Sequence, residues 1–363
     1  MTLKTFSGTL QSSDGQEAEA TVKVDIPEEQ PPEPPNGGGG DLPPPTGDGS
    51  NAAPAGTPQY PDLLNNNAYV KKPDWKVAGV HYRVGPPAGQ VFKDPATAEL
   101  PAGVVRNVSG KTLTISGANV TLDGFKLDGW QILPNAAGFK LINSKGIANR
   151  PFTNSGMIHA SRPAARNMVI EYCDLDGGSK LDPKTPLSAI VYTDGEGDFT
   201  VQYCHLKNSV SDLLDMGLNP AYNGQQHPVL RYNVWEDVGC APGAHGDTTQ
   251  WQCKQVVNLD VSYNTVIYNF VGSGPQGIQM QAQQGGRFDD NSRVHHNVLI
   301  AGPGLQGKTM SYAIAYVGTS GEASDNFMDI MSAWGAFYSR PRICERNYNM
   351  RTGRVINADN SER

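Results

Sequence analysis

Charged residues are sparse in this chain: Asp, Glu, Lys and Arg make up only 18% of 363 residues. The net charge is −7 and the basic residues are scattered, so there is no basic face for a phosphate backbone and nucleic acid is not an expected partner. No apolar run approaches the roughly 20 residues that a membrane-spanning helix needs, so no membrane is expected either. The opening residues MTLKTFSGTLQSSDG do not follow the basic-then-apolar layout of a secretory signal. Synthesis in a cytoplasm, without export by a signal peptide at this N-terminus, is the expectation. Cysteine is rare, at positions 173, 204, 240, 253 and 344, with no CxxC pair. That spacing disfavours structural zinc, and no metal or cofactor is expected. The odd count argues against a complete disulfide framework, although Cys240 and Cys253 can pair if the loop between them folds back.

Glycine and proline are plentiful, at 41 and 27, which suits a turn-rich all-β chain better than a helical one. Residues 1–26 alternate as a small β-hairpin, LKTFSGTL and EATVKVDI around SSDGQ. Two strands alone are marginal in water, so this module is expected to lean on a copy of itself or on a partner. Residues 27–61 are too rich in Pro and Gly to pack a core and read as a tether. Residues 62–363 form the large remaining unit, in which short apolar segments alternate with Gly, Asn, Asp and Pro.

A repeat runs through that unit. Aligning on apolar-x-(Tyr/His)-(Asn/Cys)-x-apolar superposes Ile170–Leu175, Val201–Leu206, Leu230–Trp235, Val261–Val266, Val294–Leu299 and, more weakly, Ala323–Met328. The Asn/Cys positions are 173, 204, 233, 264, 297 and 326, at intervals of 31, 29, 31, 33 and 29 residues. About 30 residues with three strand-like pieces per period describe one coil of a parallel β-solenoid, each strand pairing with its equivalents above and below. The recurring Asn suits stacked amides inside the coil, and Cys173 and Cys204 replace it as small buried groups. They would be vertical neighbours, better read as two packed thiols than as a disulfide.

The VxYNxV steps, with the lead-in GVHYRVGPPAGQVFKDPATAELPAGV, resemble the right-handed parallel β-helix superfamily of pectate lyases, polygalacturonases and phage tailspikes. The resemblance covers roughly residues 75 to 350. It implies a right-handed parallel β-helix whose open ends need caps, for which Lys71–Pro101 and the tail after Ile343 are the candidates. It also implies a homotrimer, as is common among tailspike-like proteins. Function does not follow, because the fold hosts lyases, hydrolases and non-catalytic spikes.

Chemistry is expected on the second strand of each coil. With apolar members inward, His159, Tyr192, Asp215, Gln250, Gln252, Gln279, Gln281 and Tyr316 point outward on neighbouring rungs, a surface suited to sugar hydroxyls and rings. The loop Gly243-Ala244-His245-Gly246-Asp247 precedes the central rung, and Asp215, His245 and Asp247 are the candidate catalytic set for glycosidic cleavage. Equally, such a loop can be a turn cap, Asp bonding backbone N–H groups and His bonding Asp. The polygalacturonase-like pattern NTD, DD, GHG and RIK is absent, as is a convincing pectate lyase set of calcium carboxylates with a groove arginine. His296 stands at a Tyr position of the repeat, and Trp235 and Trp251 suit the core or a groove wall.

Two functions are expected from these readings. The first is a virion spike, fibre or decoration protein of a bacteriophage, docked on a capsid, neck or tail protein through residues 1–60 and presenting its β-helix to host surface polysaccharide. The alternative is a polysaccharide lyase or glycoside hydrolase of the pectate lyase-like superfamily.

Overall fold

A computed structural model describes residues 2–11, 17–26, 56–150, 152, 156–161, 164–178, 189–217, 225–240, 244, 246–252, 255–269, 276–282, 287–289, 291–301, 311–316, 321–329 and 335–363. Two compact units divide at Asp41/Leu42. In the first, Thr2–Gln11 pairs antiparallel with Glu17–Ile26, and the connection between them lies outside the described residues. In the second, the described residues are all β and contain no helix. Their strands stack into one eleven-stranded and two nine-stranded sheets, almost entirely parallel and compatible with a β-helix solenoid.

The residues superposed by the repeat are those that pair. In the first sheet Ile170 is level with Val201, Val201 with Leu230, Leu230 with Val261, Val261 with Val294, and Val294 with Ala323. These side chains are buried and form the spine of the main apolar core with Leu206, Trp235, Leu214 and Ile278. Most strands of the first sheet give way to one of the second, as from Met168–Glu171 to Asp174–Asp176, through a corner at one left-handed residue. These are Asn143, Tyr172, Tyr203, Tyr232, Tyr263, His296, Asp325 and Arg346, at φ between 49° and 58°. That conformation is unfavourable for a side chain with a Cβ. Ring stacking offsets part of the cost: Tyr172, Tyr203, Tyr232, Tyr263 and His296 follow one another at centroid distances of 5.2, 5.1, 5.2 and 4.9 Å. The tyrosines therefore line the corner instead of filling the interior.

The next residue turns inward and carries the ladder. Asn233, Asn264, Asn297, Asn326 and Asn347 are buried, and each Oδ1 accepts from the preceding rung. Asn264 accepts the backbone N–H of Asn233 at 3.0 Å and its Nδ2 at 2.9 Å, while Asn264 Nδ2 donates to Leu230 O at 2.8 Å. The ladder begins at Cys204, whose N–H donates to Asn233 Oδ1, and both Cys173 and Cys204 are free thiols.

The segment from Gln59 to Lys93 is a strap laid on the outer face of the second sheet. Tyr60, near its start, bonds Glu236 in the middle of that sheet, and the strap then reaches the last coils, where Tyr69 O–H donates to Asp329 at 2.6 Å and Val70 N–H to Met350 O. It then runs back, with Ala78 O accepting from Thr265 Oγ1, Gly85 N–H donating to Tyr203 O, and Lys93 N–H to Gly124 O. Leu64, Val77 and Val80 pack on Val298, Ile300 and Phe327, and Ala78 and Val84 on Val234 and Ile267. This explains why Thr265–Tyr268 is buried at every position, since a parallel sheet covered on both faces has no solvent side. At Gly79, with φ 72°, a Cβ would come within 2.5 Å of the Val234 side chain, so the strap can lie this close only with glycine there. Lys71–Pro101, expected as an end cap, thus lies mostly along the side of the stack, held by contacts that span its coils. The antiparallel strand Val104–Asn107 forms the edge of the third sheet, and Val355–Ile356 pairs antiparallel at the edge of the second.

Replacing Asn264 with Leu leaves the buried Asn233 N–H without its acceptor, removes one of the two acceptors of the Asn233 amide, and leaves Leu230 O without its side-chain donor. Each orphaned group costs about 1–3 kcal/mol. A denaturant titration should show a clear loss of stability, whereas Asn291→Ala, which loses an exposed amide pair with Asn258, should move the midpoint little.

Candidate functional site in the third sheet

The third sheet contains the strands Gly156–Ala160, Ala189–Thr193, Asp212–Met216, Asp247–Trp251 and Gln276–Ala282. Period-two alternation sends Ile158, Val191, Leu214, Thr249 and Ile278 to one face, and the first three and Ile278 join the main core. The opposite face carries His159, Tyr192, Asp215 and Gln250 as level neighbours on four successive rungs. Gln279 follows on the fifth, after a register shift between Thr249 and Trp251, and it is level with Ala315 on the sixth. Of the row expected from the sequence, His159, Tyr192, Asp215, Gln250 and Gln279 are therefore neighbours on successive rungs. The row is also largely covered: Tyr192, Asp215 and Gln279 are buried, while His159, Gln250 and Gln252 are partly exposed.

The row has internal order. The His159 and Tyr192 rings stack at 4.6 Å with 13° between planes, and Tyr192 O–H donates to Asp194 Oδ1 at 2.9 Å. Gln252 donates to Gln250 Oε1 at 2.9 Å, which fixes the orientation of that amide pair. Burial pushes the His159 imidazole pKa down, partly opposed by the Asp194 charge, so the ring is biased towards its neutral form. Asp215 is only 2% exposed, and its Oδ1 has no hydrogen-bond partner. Burial and then the charge of Asp194 raise its pKa to about 7.

Asp247 is reached differently. It shares its strand face with Thr249 and Trp251, the parity opposite to Asp215 and Gln250, and is fully buried at the start of its strand. Its backbone N–H donates to Asp212 Oδ1 at 2.7 Å. Burial and the Asp215 charge raise its carboxyl pKa to about 7, and burial followed by the Asp247 charge raises Asp212 as well. Asp194, Asp212, Asp215 and Asp247 thus interact electrostatically across three rungs. A protonated carboxyl near neutrality is a proton donor, the role a general acid needs.

His245 and Cys253 lie outside the described residues, so the His-Asp partnership and the Cys240–Cys253 pairing fall there too; Cys240 is a free buried thiol. Gln281 and Tyr316 belong to the strands Gln276–Ala282 and Ile314–Tyr316. The glycine of the His-Gly-Asp loop has a packing reason: a Cβ on Gly246 would run into the backbone of Gly239. Trp235 and Trp251 are fully buried. His296 stacks on Tyr263 and meets Trp75 edge-on, and burial with His295 beside it pushes its pKa down to about 4, so it serves the corner ladder and the strap.

Asp194 and Asp212 were missed in the sequence. Asp194 lies two residues beyond Tyr192, so extending the outward parity past the strand end would have found it. Asp212 opens Asp212-Leu213-Leu214-Asp215, where a carboxylate at each end of an apolar strand was a usable signal. Among the described residues no group of three or more His, Cys, Asp or Glu is placed to hold a metal ion, and no helix is long and apolar enough to cross a membrane. Comparison of the chain with protein-family models, with curated proteins and with solved structures finds no match.

The raised carboxyls carry a pH signature. Between about pH 4 and 7 the folded chain binds more protons at Asp215 and Asp247 than the unfolded chain, so their contribution to stability falls as pH rises through that window. Glu236, held low by His205, Tyr60 and Asn269 against the opposing effect of burial, acts oppositely: its contribution is present above the usual glutamate range and lost as pH falls below it. Unfolding midpoints should therefore peak at mildly acidic pH, and Asp215→Asn should flatten the decline from there to pH 8. An unchanged slope in that variant would show that Asp215 is ionised throughout.

Proposed function

We propose that this chain is a bacteriophage virion spike or decoration protein whose β-helix meets host surface polysaccharide. The observation that carries the reading is the row His159, Tyr192, Asp215, Gln250 and Gln279, which gathers rings, amides and a carboxyl on one sheet face. Sugars are bound by such mixtures, the amides taking hydroxyl hydrogen bonds and the rings taking the apolar faces of the pyranose. In this reading the stack is a right-handed parallel β-helix of about 30 residues per coil, similar to pectate lyase-like and tailspike-like proteins, and it assembles as a homotrimer. Residues 1–26 form the anchor module, and the Pro/Gly-rich stretch after them joins it to the β-helix. Docking on a capsid, neck or tail protein uses that N-terminal part.

A second reading is favoured by one specific feature. Asp215 is biased towards its protonated form near neutral pH, with Asp194 held by Tyr192 on the same strand face, and this pairing of acids suits general acid-base cleavage of a glycosidic bond by a lyase or hydrolase. In it Asp247, and His245 from the preceding loop, support the same centre.

Deleting residues 1–55 leaves the strap intact and tests the anchor. The truncated chain should remain folded and be missing from assembled particles, and incorporation equal to wild type would overturn the virion reading. For cleavage, capsule or lipopolysaccharide of the host is incubated with wild type, Asp215→Asn and Asp247→Asn. Reducing-end release should fall about 10²–10⁴-fold in Asp215→Asn if this acid works in catalysis. Equal release by all three removes the proposed centre, and polysaccharide binding without release by any of them leaves the binding role alone.

A further inference from the structure

A second site is formed where the strap crosses the first coils of the second sheet, away from the row just described. There Arg83, Gln90 and Phe92 from the strap face Lys145 and Asp174, which are level neighbours on adjacent strands, around an open hollow of about 240 Å³. The walls are stiff. Pro86 and Pro87 form one side, and Gly85, left-handed at φ 82°, ties this part of the strap to Tyr203 O.

The hollow is cationic on an acidic protein. Asp174 is paired with Lys207 at 3.0 Å, on the next strand of the same sheet. Neither Arg83 nor Lys145 makes an ion pair among the described residues. Both are nonetheless held in position. Arg83 lines the hollow with its Nε donating to Pro86 O at 3.1 Å, and the Lys145 ammonium lies 4.4 Å from the Phe92 ring centroid. Arg83 and Lys145 line the hollow with Asp174 as its one carboxylate, and Asp174 is already bonded to Lys207, so among the described residues the lining keeps an excess of positive charge that favours an anion.

We propose that this hollow binds a sugar-sized anion, a saccharide unit bearing a carboxylate or a phosphate. Arg83 and Lys145 take the charged group, Phe92 holds the Lys145 ammonium in place for it, and the Gln90 amide takes a hydroxyl. Small-molecule binding here is independent of whether the third sheet contacts glycan, so either assignment can fail without the other.

The full-length protein is titrated calorimetrically with sodium glucuronate, glucose 1-phosphate, glucose and inorganic phosphate. Saturable binding of glucuronate or glucose 1-phosphate, with none of glucose, is expected, and the stronger of the two identifies the charged group. Arg83→Gln and Lys145→Gln should each weaken binding about tenfold or more. Lys145→Gln is on a sheet strand and leaves the Arg83–Pro86 contact in place, so its unchanged thermal midpoint separates lost affinity from lost fold. Glucose binding as well as glucuronate, inorganic phosphate binding as tightly as the sugar-bearing anions, or unaltered affinity in both variants would overturn the proposal.

Discussion

Everything in the large unit depends on how the chain turns between the first and second sheets. Each corner is made by a single residue in the left-handed region, and for most coils that residue is a tyrosine or histidine, not a glycine. Such a corner is unfavourable taken alone and becomes stable only in a stack. Rings pile on rings along its outside, and inside it the asparagine amides form a continuous ladder in which Oδ1 groups take two donors from the coil before. Because a buried unpaired amide costs more than a paired one contributes, the ladder acts mainly as a register device. A coil slipped by one residue would leave two rungs unsatisfied.

The strap follows from the same stack. Turning at the corner presents Val234, Ile267, Val298 and Phe327 on the outer face of the second sheet, an apolar surface that parallel sheets ordinarily keep covered. The chain covers it with its own Leu64, Val77, Val80 and Val84, and fastens the cover at two carboxylates, Tyr60 on Glu236 and Tyr69 on Asp329. One consequence is the cationic hollow, which exists only because Arg83 and Phe92 are carried across to Lys145.

The carboxyls in and behind the outward row of the third sheet illustrate how burial changes a polar group. Placed in water, four aspartates would all be ionised and of little interest. Packed beside one another across three rungs, Asp212, Asp215 and Asp247 are each pushed upward by lost hydration first and by a neighbouring charge second. The stability given up by burying them is recovered elsewhere, in the ladder and the core, and functional centres commonly carry such local costs.

The fold was largely legible because its signals are local and recur. Period-two alternation marked the strands, and the Tyr-Asn pair reappearing at Asn233, Asn264 and Asn297 marked which residues would be level, since identical corners must stack to satisfy one another's amides. Much of the outward row was legible for the same reason: His159, Tyr192, Asp215 and Gln250 occupy equivalent places in successive coils. Three things were decided only in three dimensions. The strap's return along the second sheet depends on contacts such as Tyr69 with Asp329, 260 residues apart, which leave no periodic trace. The membership of Asp194 and Asp212 in the carboxylate group, and the opposite parity of Asp247, depend on where strands begin and end. Burial of the row, and with it the raised carboxyl pKa values, depends on what packs over each face, and a sequence pattern states only which residues share a face.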